Sequence, residues 1–221
     1  MIAIIADIVH SKRLPQRDEI QARLAVRLER VNQAYQASLA SKFTLTLGDE
    51  FQALFQTPSG MLQALDEITF AMYPVRLRFG IGLGEITTMI DPERSIGADG
   101  PAYWNAREAI PFVHRNDDYG RSNIHVVSAN QDETLPLVNE LLKSTAMVAA
   151  SWRLTQVEVI RGLLDENIWT PKFDQSRLAR KLKISDSTLT RRMATSGIKL
   201  YLRGRGEAES ALERIHNHYA Q

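Results

Sequence analysis

The sequence predicts an α/β fold in its first two thirds and a purely helical fold in the remainder. Strand and amphipathic helix patterns alternate through most of the chain, and past Leu141 only helical spacing continues. The charge changes in the same region: residues 151–221 carry 13 Lys or Arg against 8 Asp or Glu, which leaves 14 against 18 in residues 1–150. We therefore predict two domains, residues 1–147 and residues 148–221.

The composition indicates a well-packed protein. Hydrophobic residues make up 44% of the 221 positions, which is enough for a core in each domain. No apolar run approaches the roughly 20 residues that cross a bilayer, and Asp7 interrupts the first apolar stretch too early for a signal peptide. We therefore expect a cytoplasmic protein without a membrane partner. The absence of cysteine excludes disulfides, thiolate zinc sites and a cysteine nucleophile.

The first elements are a buried strand and a long helix. Residues 2–8 are apolar except for Asp7, which is typical of a central strand covered on both faces. From Asp18 to Leu39, apolar residues recur at spacings of three and four and therefore form one stripe of an amphipathic helix.

A β-hairpin follows this helix. Residues 43–47 alternate between apolar and polar side chains, Gly48 and Asp49 form a tight-turn signal, and residues 51–55 resume the extended pattern. The hairpin therefore carries acidic residues at its tip.

The next strand has one bare face. A helix beginning at Thr57 leads to residues 75–83, where apolar residues alternate with Arg or Gly. Because Gly80, Gly82 and Gly84 leave one face without side chains, we expect another element to pack closely there.

The remaining elements of the first domain are a helix over residues 102–110 and a strand over residues 123–127. The order βαββαβαβ predicts α/β layers on a mixed sheet, close to the ferredoxin-like split βαβ plan.

Acidic residues converge in this arrangement. Asp7 ends the first strand, and Asp49 and Glu50 lie at the hairpin tip, beside it if the hairpin pairs with that strand. Carboxylates from strand ends are the ligands that Mg²⁺ and Mn²⁺ take together with substrate phosphates. The alternative is that Asp7 caps the following loop and the other two are ordinary turn residues.

Three motifs in chain order resemble the class III nucleotidyl cyclases. They are residues 6–11 (Ala-Asp-Ile-Val-His-Ser), residues 47–51 (Leu-Gly-Asp-Glu-Phe) and residues 78–85 (Arg-Phe-Gly-Ile-Gly-Leu-Gly-Glu). The hairpin motif also resembles the GGDEF signature of diguanylate cyclases. The resemblance implies a nucleotidyl-cyclase-type domain.

By this resemblance, Asp7 and Asp49 are the ligands of Mg²⁺ or Mn²⁺, with Glu50 as the substitute in the GGDEF analogy. Gly48 and Arg107 are then the candidate nucleotide-binding residues. For Arg107, a surface salt bridge is the alternative.

Two departures separate the sequence from active cyclases. Residues 43–47 contain no lysine to read a purine base. In the family, an Asn and an Arg four residues apart on one helix act on the transition state. Here the corresponding residues are Asn105 and Arg107, which are two residues apart and point about 200° away from each other on a helix. These two side chains cannot serve one site, so we expect nucleotide binding rather than cyclisation.

When longer stretches of the sequence are compared, the chain is similar to the SatD family. The similarity rests on residues 5–9, 46–52, 79–86 and 99–110, and it extends over nearly the whole chain. It implies the architecture rather than an activity.

Residues 175–194 have the pattern of two short helices that cross. Ala179 is small enough for a close crossing, and Ser185 is a suitable N-cap for the second helix. The segment resembles the DNA-binding helix-turn-helix, with Lys183 at the turn position usually held by glycine. A three-helix module that binds protein is the alternative. The side chains expected to contact DNA are Ser187, Thr188, Thr190, Arg191 and Arg192.

The leading hypothesis is a DNA-binding transcriptional regulator whose cyclase-like domain is a sensor for a metal and a nucleotide. One alternative is a nucleotidyl cyclase or related phosphoryl-transfer enzyme, and another is an interaction protein without a ligand. We also expect a homodimer, because one helix-turn-helix buries little surface and class III cyclase domains pair.

Overall fold

The structure, a computed structural model, describes residues 1–46, 48–115, 121–130 and 132–219. Over these residues the chain is mixed α/β, with one five-stranded mixed sheet and eight α-helices. No helix in these ranges is both long enough and apolar enough to span a membrane. Leu47, the last residue of the predicted second strand, lies outside the described residues.

Strands and helices are interleaved up to Ser128, and all later elements of the described chain are helices. The strands are β1 (Ile2–Ile8), β2 (Leu39–Leu45), β3 (Glu50–Phe55), β4 (Leu77–Leu83) and β5 (Ile124–Ser128). The helices are α1 (Arg17–Ala34), α2 (Met61–Met72), α3 (Pro101–Arg115), α4 (Leu135–Ala150), α5 (Leu154–Leu164), α6 (Gln175–Lys181), α7 (Asp186–Ser196) and α8 (Ile198–Tyr219).

Strand β1 lies at the centre of the sheet. The strand order is β2-β3-β1-β4-β5, in which β1 is antiparallel to both neighbours and β4 and β5 are parallel. A strand with a neighbour on each side and helices on each face is buried on both faces. This position explains why β1 is apolar except at Asp7.

The two faces of the sheet have separate cores. On one face, α1, α2, α4 and the second half of α8 cover a core that includes the contacting rings of Phe43, Phe51, Phe55 and Phe79. The smaller core on the other face lies under α3 and includes Tyr103.

The bare face of β4 is covered by α3, as the sequence predicts. A Cβ added at Gly80 would overlap the carbonyl oxygen of Ala106, and one at Gly82 would overlap that of Ala102. The glycines therefore allow the backbone of α3 to lie directly on the strand.

Helix α1 is shorter than the sequence predicts. Leu39 continues the apolar stripe of the helix but is the first residue of β2, because the chain turns at Tyr35. The buried side-chain amide of Asn32 then accepts from the N–H of Phe43 (2.7 Å) and donates to its carbonyl (3.0 Å). The Asn32 side chain of α1 thus fixes the position of β2 by hydrogen bonds to its backbone.

Helix α2 begins at Met61 rather than at Thr57. Gly60 precedes it with φ of 75°, and the carboxylate of Glu209 on α8 accepts from the N–H groups of Gly60 (3.0 Å) and Leu62 (2.8 Å). Burial raises the pKa of Glu209 to about 7, and these two N–H groups oppose the rise. The cap of α2 comes from a distant part of the chain, which local sequence does not reveal.

Helix α8 belongs to two cores. Its first half, including Tyr201 and Leu202, packs with α5, α6 and α7 in a C-terminal core. Its second half, including Ala208 and Leu212, packs against α4 and the main core of the sheet. The predicted domain boundary between residues 147 and 148 lies in the last turn of α4.

A buried carboxylate joins α2 to α8. Asp66 is 1% exposed and pairs with Arg205 at 2.6 Å. The hydroxyl of Tyr201 (2.7 Å) and the indole N–H of Trp169 (2.8 Å) also donate to it. We call these four residues the Asp66 cluster.

Replacing Gly82 with alanine is expected to lower the free energy of unfolding by about 2–4 kcal/mol, measured by urea denaturation. The new Cβ would overlap backbone atoms of Ala102 and Ala106, so α3 would have to move as a unit.

Gly206→Ala is the matched control. A Cβ at Gly206, inside α8, meets no atom within 4 Å, so this change should be neutral or stabilise by up to about 1 kcal/mol. Equal effects of the two substitutions would contradict the close packing of α3 on β4.

Candidate functional site

The predicted acidic site lies at one end of the sheet. In the register of the strands, Asp7 on β1 is opposite Glu50 on β3 and opposite Arg78 on β4. Residues directly opposite each other in antiparallel strands project from the same face. The three side chains therefore share the face that α3 covers.

The carboxylate of Asp7 forms a two-pronged ion pair with Arg78. Nε of Arg78 donates to Oδ1 and Nη2 donates to Oδ2, each at 2.9 Å. The two side chains are 20% and 22% exposed, so water only partly screens the pair. The sequence alone does not reveal Arg78 as the partner of Asp7, although this arginine continues the glycine face of β4.

The hairpin tip adjoins the end of β1. The carbonyl of Asp49 accepts from the N–H of Ile8 at 3.1 Å, and the carboxylate of Asp49 lies 3.9 Å from the guanidinium of Arg17. Gly48 has φ of 68°, and its carbonyl accepts from the side chain of Gln21. The backbone thus brings the three predicted acidic residues to one end of the sheet.

The side chains at this end do not fit a divalent metal ion as they are arranged. Both oxygens of Asp7 already accept from Arg78, and Asp49 faces Arg17. Within the described ranges, no group of three or more His, Asp or Glu side chains is placed to hold a metal. Guanidinium groups lie against two of the three carboxylates, and a metal at Asp7 would require the displacement of Arg78.

The predicted nucleotide-binding arginine lies on the outer side of α3. Arg107 is exposed and lies 3.6 Å from Asp99, which is the salt bridge that the sequence leaves as an alternative. Asn105 is buried and donates to the carbonyl of Leu83 at 2.7 Å. These two side chains therefore point in different directions, as their spacing predicts.

The predicted DNA-contacting residues lie on α7, which follows a tight turn after α6. Lys183 in the turn has φ of 55°, the left-handed conformation that glycine adopts more readily. Ser185 caps α7, since its hydroxyl accepts from the N–H of Thr188 at 3.2 Å. Ala179 is buried where α6 meets its neighbours.

The predicted DNA-contacting side chains of α7 differ in exposure and in their contacts. Ser187, Thr190 and Arg191 are exposed at helical spacing on one face. Within the cap, the hydroxyl of Ser185 donates to that of Thr188 and lies 3.0 Å from that of Ser187. Arg192 is half-buried and donates to the carboxylate of Glu158 on α5 at 2.9 Å. Arg191 is thus the more accessible of the two adjacent arginines.

Replacing Asp7 with asparagine is expected to lower the free energy of unfolding by about 1–3 kcal/mol in the presence of a chelator, because the charged contact of Nε and Nη2 of Arg78 with the Asp7 carboxylate is lost. Urea denaturation measures the change. Asp49→Asn is the control and should cost less than about 1 kcal/mol, since its contact with Arg17 is long and solvated.

A stabilising effect of Asp7→Asn in chelator would contradict this interpretation. It would mean that the carboxylates repel one another and that the site requires a metal for charge balance.

Comparison with known proteins identifies one family. The model of the SatD family matches residues 1–212 of the chain. None of the curated proteins matches it.

Proposed function

We propose that this chain, which belongs to the SatD family, is a DNA-binding transcriptional regulator whose recognition element is α7. The observation that carries the proposal is the exposed row of Ser187, Thr190 and Arg191 on a helix whose opposite face is buried. Hydroxyl groups and a guanidinium at this spacing are suited to contact base edges and phosphates in the major groove.

The packing of α6 and α7 supports a helix-turn-helix. Leu178, Ala179, Leu189 and Met193 are buried between the helices, and the left-handed Lys183 allows the sharp turn. Helix α5 packs beside both, which gives the three-helix arrangement in which such a unit is normally held.

The charge of this part of the chain supports contact with a phosphate backbone. Arg180, Lys183, Arg191 and Lys199 are exposed on or next to α6 and α7. Cations that neutralise phosphates release counterions, which favours DNA binding at low salt.

The first part of the chain is proposed to be a sensor domain of the nucleotidyl-cyclase type. The strand order β2-β3-β1-β4, antiparallel throughout, supports the ferredoxin-like split βαβ plan, with β5 added in parallel. The Asp7–Arg78 pair and the buried Asn105 favour a regulator over the alternative of a phosphoryl-transfer enzyme, because both withdraw candidate catalytic groups from a substrate.

A homodimer formed at least partly through the N-terminal domains is the proposed assembly. Large apolar side chains are exposed on and before α3: Met89 at 92%, Ile96 at 52% and Trp104 at 54%. These three positions lie within residues 89–104, and this grouping along the chain favours a partner that covers the segment. Two joined helix-turn-helix units would then read half-sites about one DNA turn apart.

Arg191→Ala is expected to weaken binding to duplex DNA, because one phosphate contact is lost. The slope of log affinity against log salt concentration should become shallower by about one. Gel-shift titrations at several salt concentrations measure both quantities. Arg192→Ala should instead lower stability, because Arg192 holds α7 to Glu158 on α5.

Arg30→Ala, at an exposed position of α1, is the matched control and should leave DNA affinity unchanged. If the wild type binds DNA and Arg191→Ala has the same affinity and salt slope, α7 is not the recognition element. If the wild type does not bind random duplex DNA even at low salt, the proposed function is wrong.

The full chain is expected to sediment at micromolar concentration with twice the mass of one chain. Trp104→Gln should shift it toward the monomer, because the exposed indole is part of the proposed interface. Val26→Gln, at a similarly exposed apolar position on α1, is the control and should leave the dimer intact. A wild-type monomer would contradict the homodimer.

A further inference from the structure

A recess of about 340 Å³ lies where α1, the C-terminal half of α2 and the end of α5 meet. Its charged lining residues are Arg23 and Arg27 of α1, Glu67 of α2, Arg161 of α5, and Asp165, which directly follows α5. The volume lies within the range of small-molecule sites, roughly 300–1,000 Å³. We call it the arginine recess.

Two of the arginines are held by the C-terminal end of α2. Nε of Arg161 donates to the carbonyl of Phe70 at 2.7 Å, and its Nη2 donates to that of Ala71 at 3.4 Å. Nη2 of Arg23 donates to the carbonyl of Met72 at 2.8 Å. These carbonyls belong to the last turn of the helix, where carbonyl groups lack N–H partners within the helix. The backbone of α2 therefore positions both guanidinium groups before any ligand binds.

Arg27 has no comparable anchor. Its side chain is half-buried in the lining, and it donates no hydrogen bond to any residue that the structure describes. Nη1 of Arg23 and Nη1 of Arg161 likewise donate to none of the described residues. Three guanidinium groups therefore retain N–H donors for a ligand in the recess.

Cations outnumber acids among the described residues of the lining, three to two. Burial lowers the pKa of Arg161, and the charges of Arg23 and Arg27 lower it further, while Asp165 opposes the change. An anion among the three guanidinium groups would offset their mutual repulsion. The electrostatics of the recess therefore favour an anionic ligand.

The two acids indicate which kind of anion fits. Glu67 accepts from the hydroxyl of Tyr35 at 2.6 Å, and Asp165 is exposed. Carboxylates beside the cations repel the continuous charge of a DNA backbone, but they can accept hydrogen bonds from hydroxyl groups of a small molecule. A single phosphate group has several acceptor oxygens for guanidinium donors that approach from different directions. The lining thus favours a compact phosphate over a polyanion.

We propose that the arginine recess binds a phosphate group, either free or on a small organic molecule. The phosphate oxygens accept from Arg23, Arg27 and Arg161, and hydroxyl groups of an organic ligand face the two acids. Because Arg23 and Arg27 belong to the sheet layer and Arg161 to the C-terminal helices, the ligand joins the two parts of the chain. The recess shares no residue with the predicted metal and nucleotide sites or with α7, and its test does not depend on DNA binding.

Calorimetric titration of the full chain with inorganic phosphate, at constant ionic strength, tests the site. One phosphate is expected to bind per chain, and the same additions should raise the melting temperature, because the ligand binds only the folded protein. Arg27→Gln is expected to weaken binding at least about tenfold, since a charged hydrogen-bond donor is lost. The circular dichroism spectrum of this variant should be retained, because Arg27 donates no hydrogen bond to the described residues.

Two further variants test the dependence on local charge. Asp165→Asn removes an acid from the lining and should tighten phosphate binding by about two- to threefold. Arg203→Gln removes an exposed arginine of α8 that is not among the described residues of the lining, and it should leave the affinity unchanged. Opposite effects of Arg27→Gln and Asp165→Asn are what a phosphate among these side chains requires.

Ribose 5-phosphate distinguishes the two sources of the phosphate group. Tighter binding than that of inorganic phosphate would identify an organic phosphate whose hydroxyl groups reach the acids. Equal or weaker binding would identify the free ion as the ligand.

Failure of the wild type to bind inorganic phosphate at up to about 10 mM would overturn the proposal. Equal affinity of Arg27→Gln and the wild type would also overturn it, as would equal weakening by Arg203→Gln. If the wild type binds no phosphate but Arg27→Gln weakens binding to duplex DNA, the arginines contact a nucleic-acid backbone and the proposal is wrong. If Arg27→Gln does not fold, Asp165→Asn and Arg203→Gln still decide the outcome.

Discussion

The arrangement of the two parts of the chain depends on the buried carboxylate of Asp66. A charge removed from water is costly unless it is paired and hydrogen-bonded, and Asp66 on α2 is supplied with Arg205, Tyr201 and Trp169. All three donors lie more than 100 residues further along the chain. Because these partners must reach one carboxylate, the direction of α8 over the sheet layer is fixed. The C-terminal helices are positioned as a result.

The elements that periodicity and composition determine could be predicted from the sequence. The central strand, the hairpin, the strand with a bare glycine face and the capped helix α7 follow from local patterns. Features that depend on distant residues could not be predicted. The end of α1 depends on Asn32 binding Phe43, and the start of α2 depends on Glu209. In local sequence, Asp66 is one polar residue on an amphipathic helix, and its burial arises only when α8 packs beside it.

The candidate acidic site shows the same limit of local sequence. The sequence brings Asp7 and Asp49 to one end of the sheet, because hairpin pairing follows from the turn residues. It does not reveal the register of β4, which places Arg78 directly opposite Asp7. A one-residue slip would put a leucine or phenylalanine there instead. The charge balance at this end therefore depends on strand register, which places an arginine against a carboxylate that the motif predicts to be a metal ligand.

Helix α8 has a consequence for how such proteins arise by gene rearrangement. Its first half completes the core around α5, α6 and α7, and its second half covers the sheet layer and caps α2 through Glu209. A recombination breakpoint near residue 147 would leave Asp66 of the upstream product without its partners on α8, at an open groove that this helix no longer fills. In the downstream product, the apolar face of the second half of α8 would be exposed to solvent, because the sheet layer that covers it would be absent. The two parts must therefore be inherited together. Under the proposed function, a new DNA-binding specificity would arise by changes on the surface of α7 rather than by exchange of the whole C-terminal part.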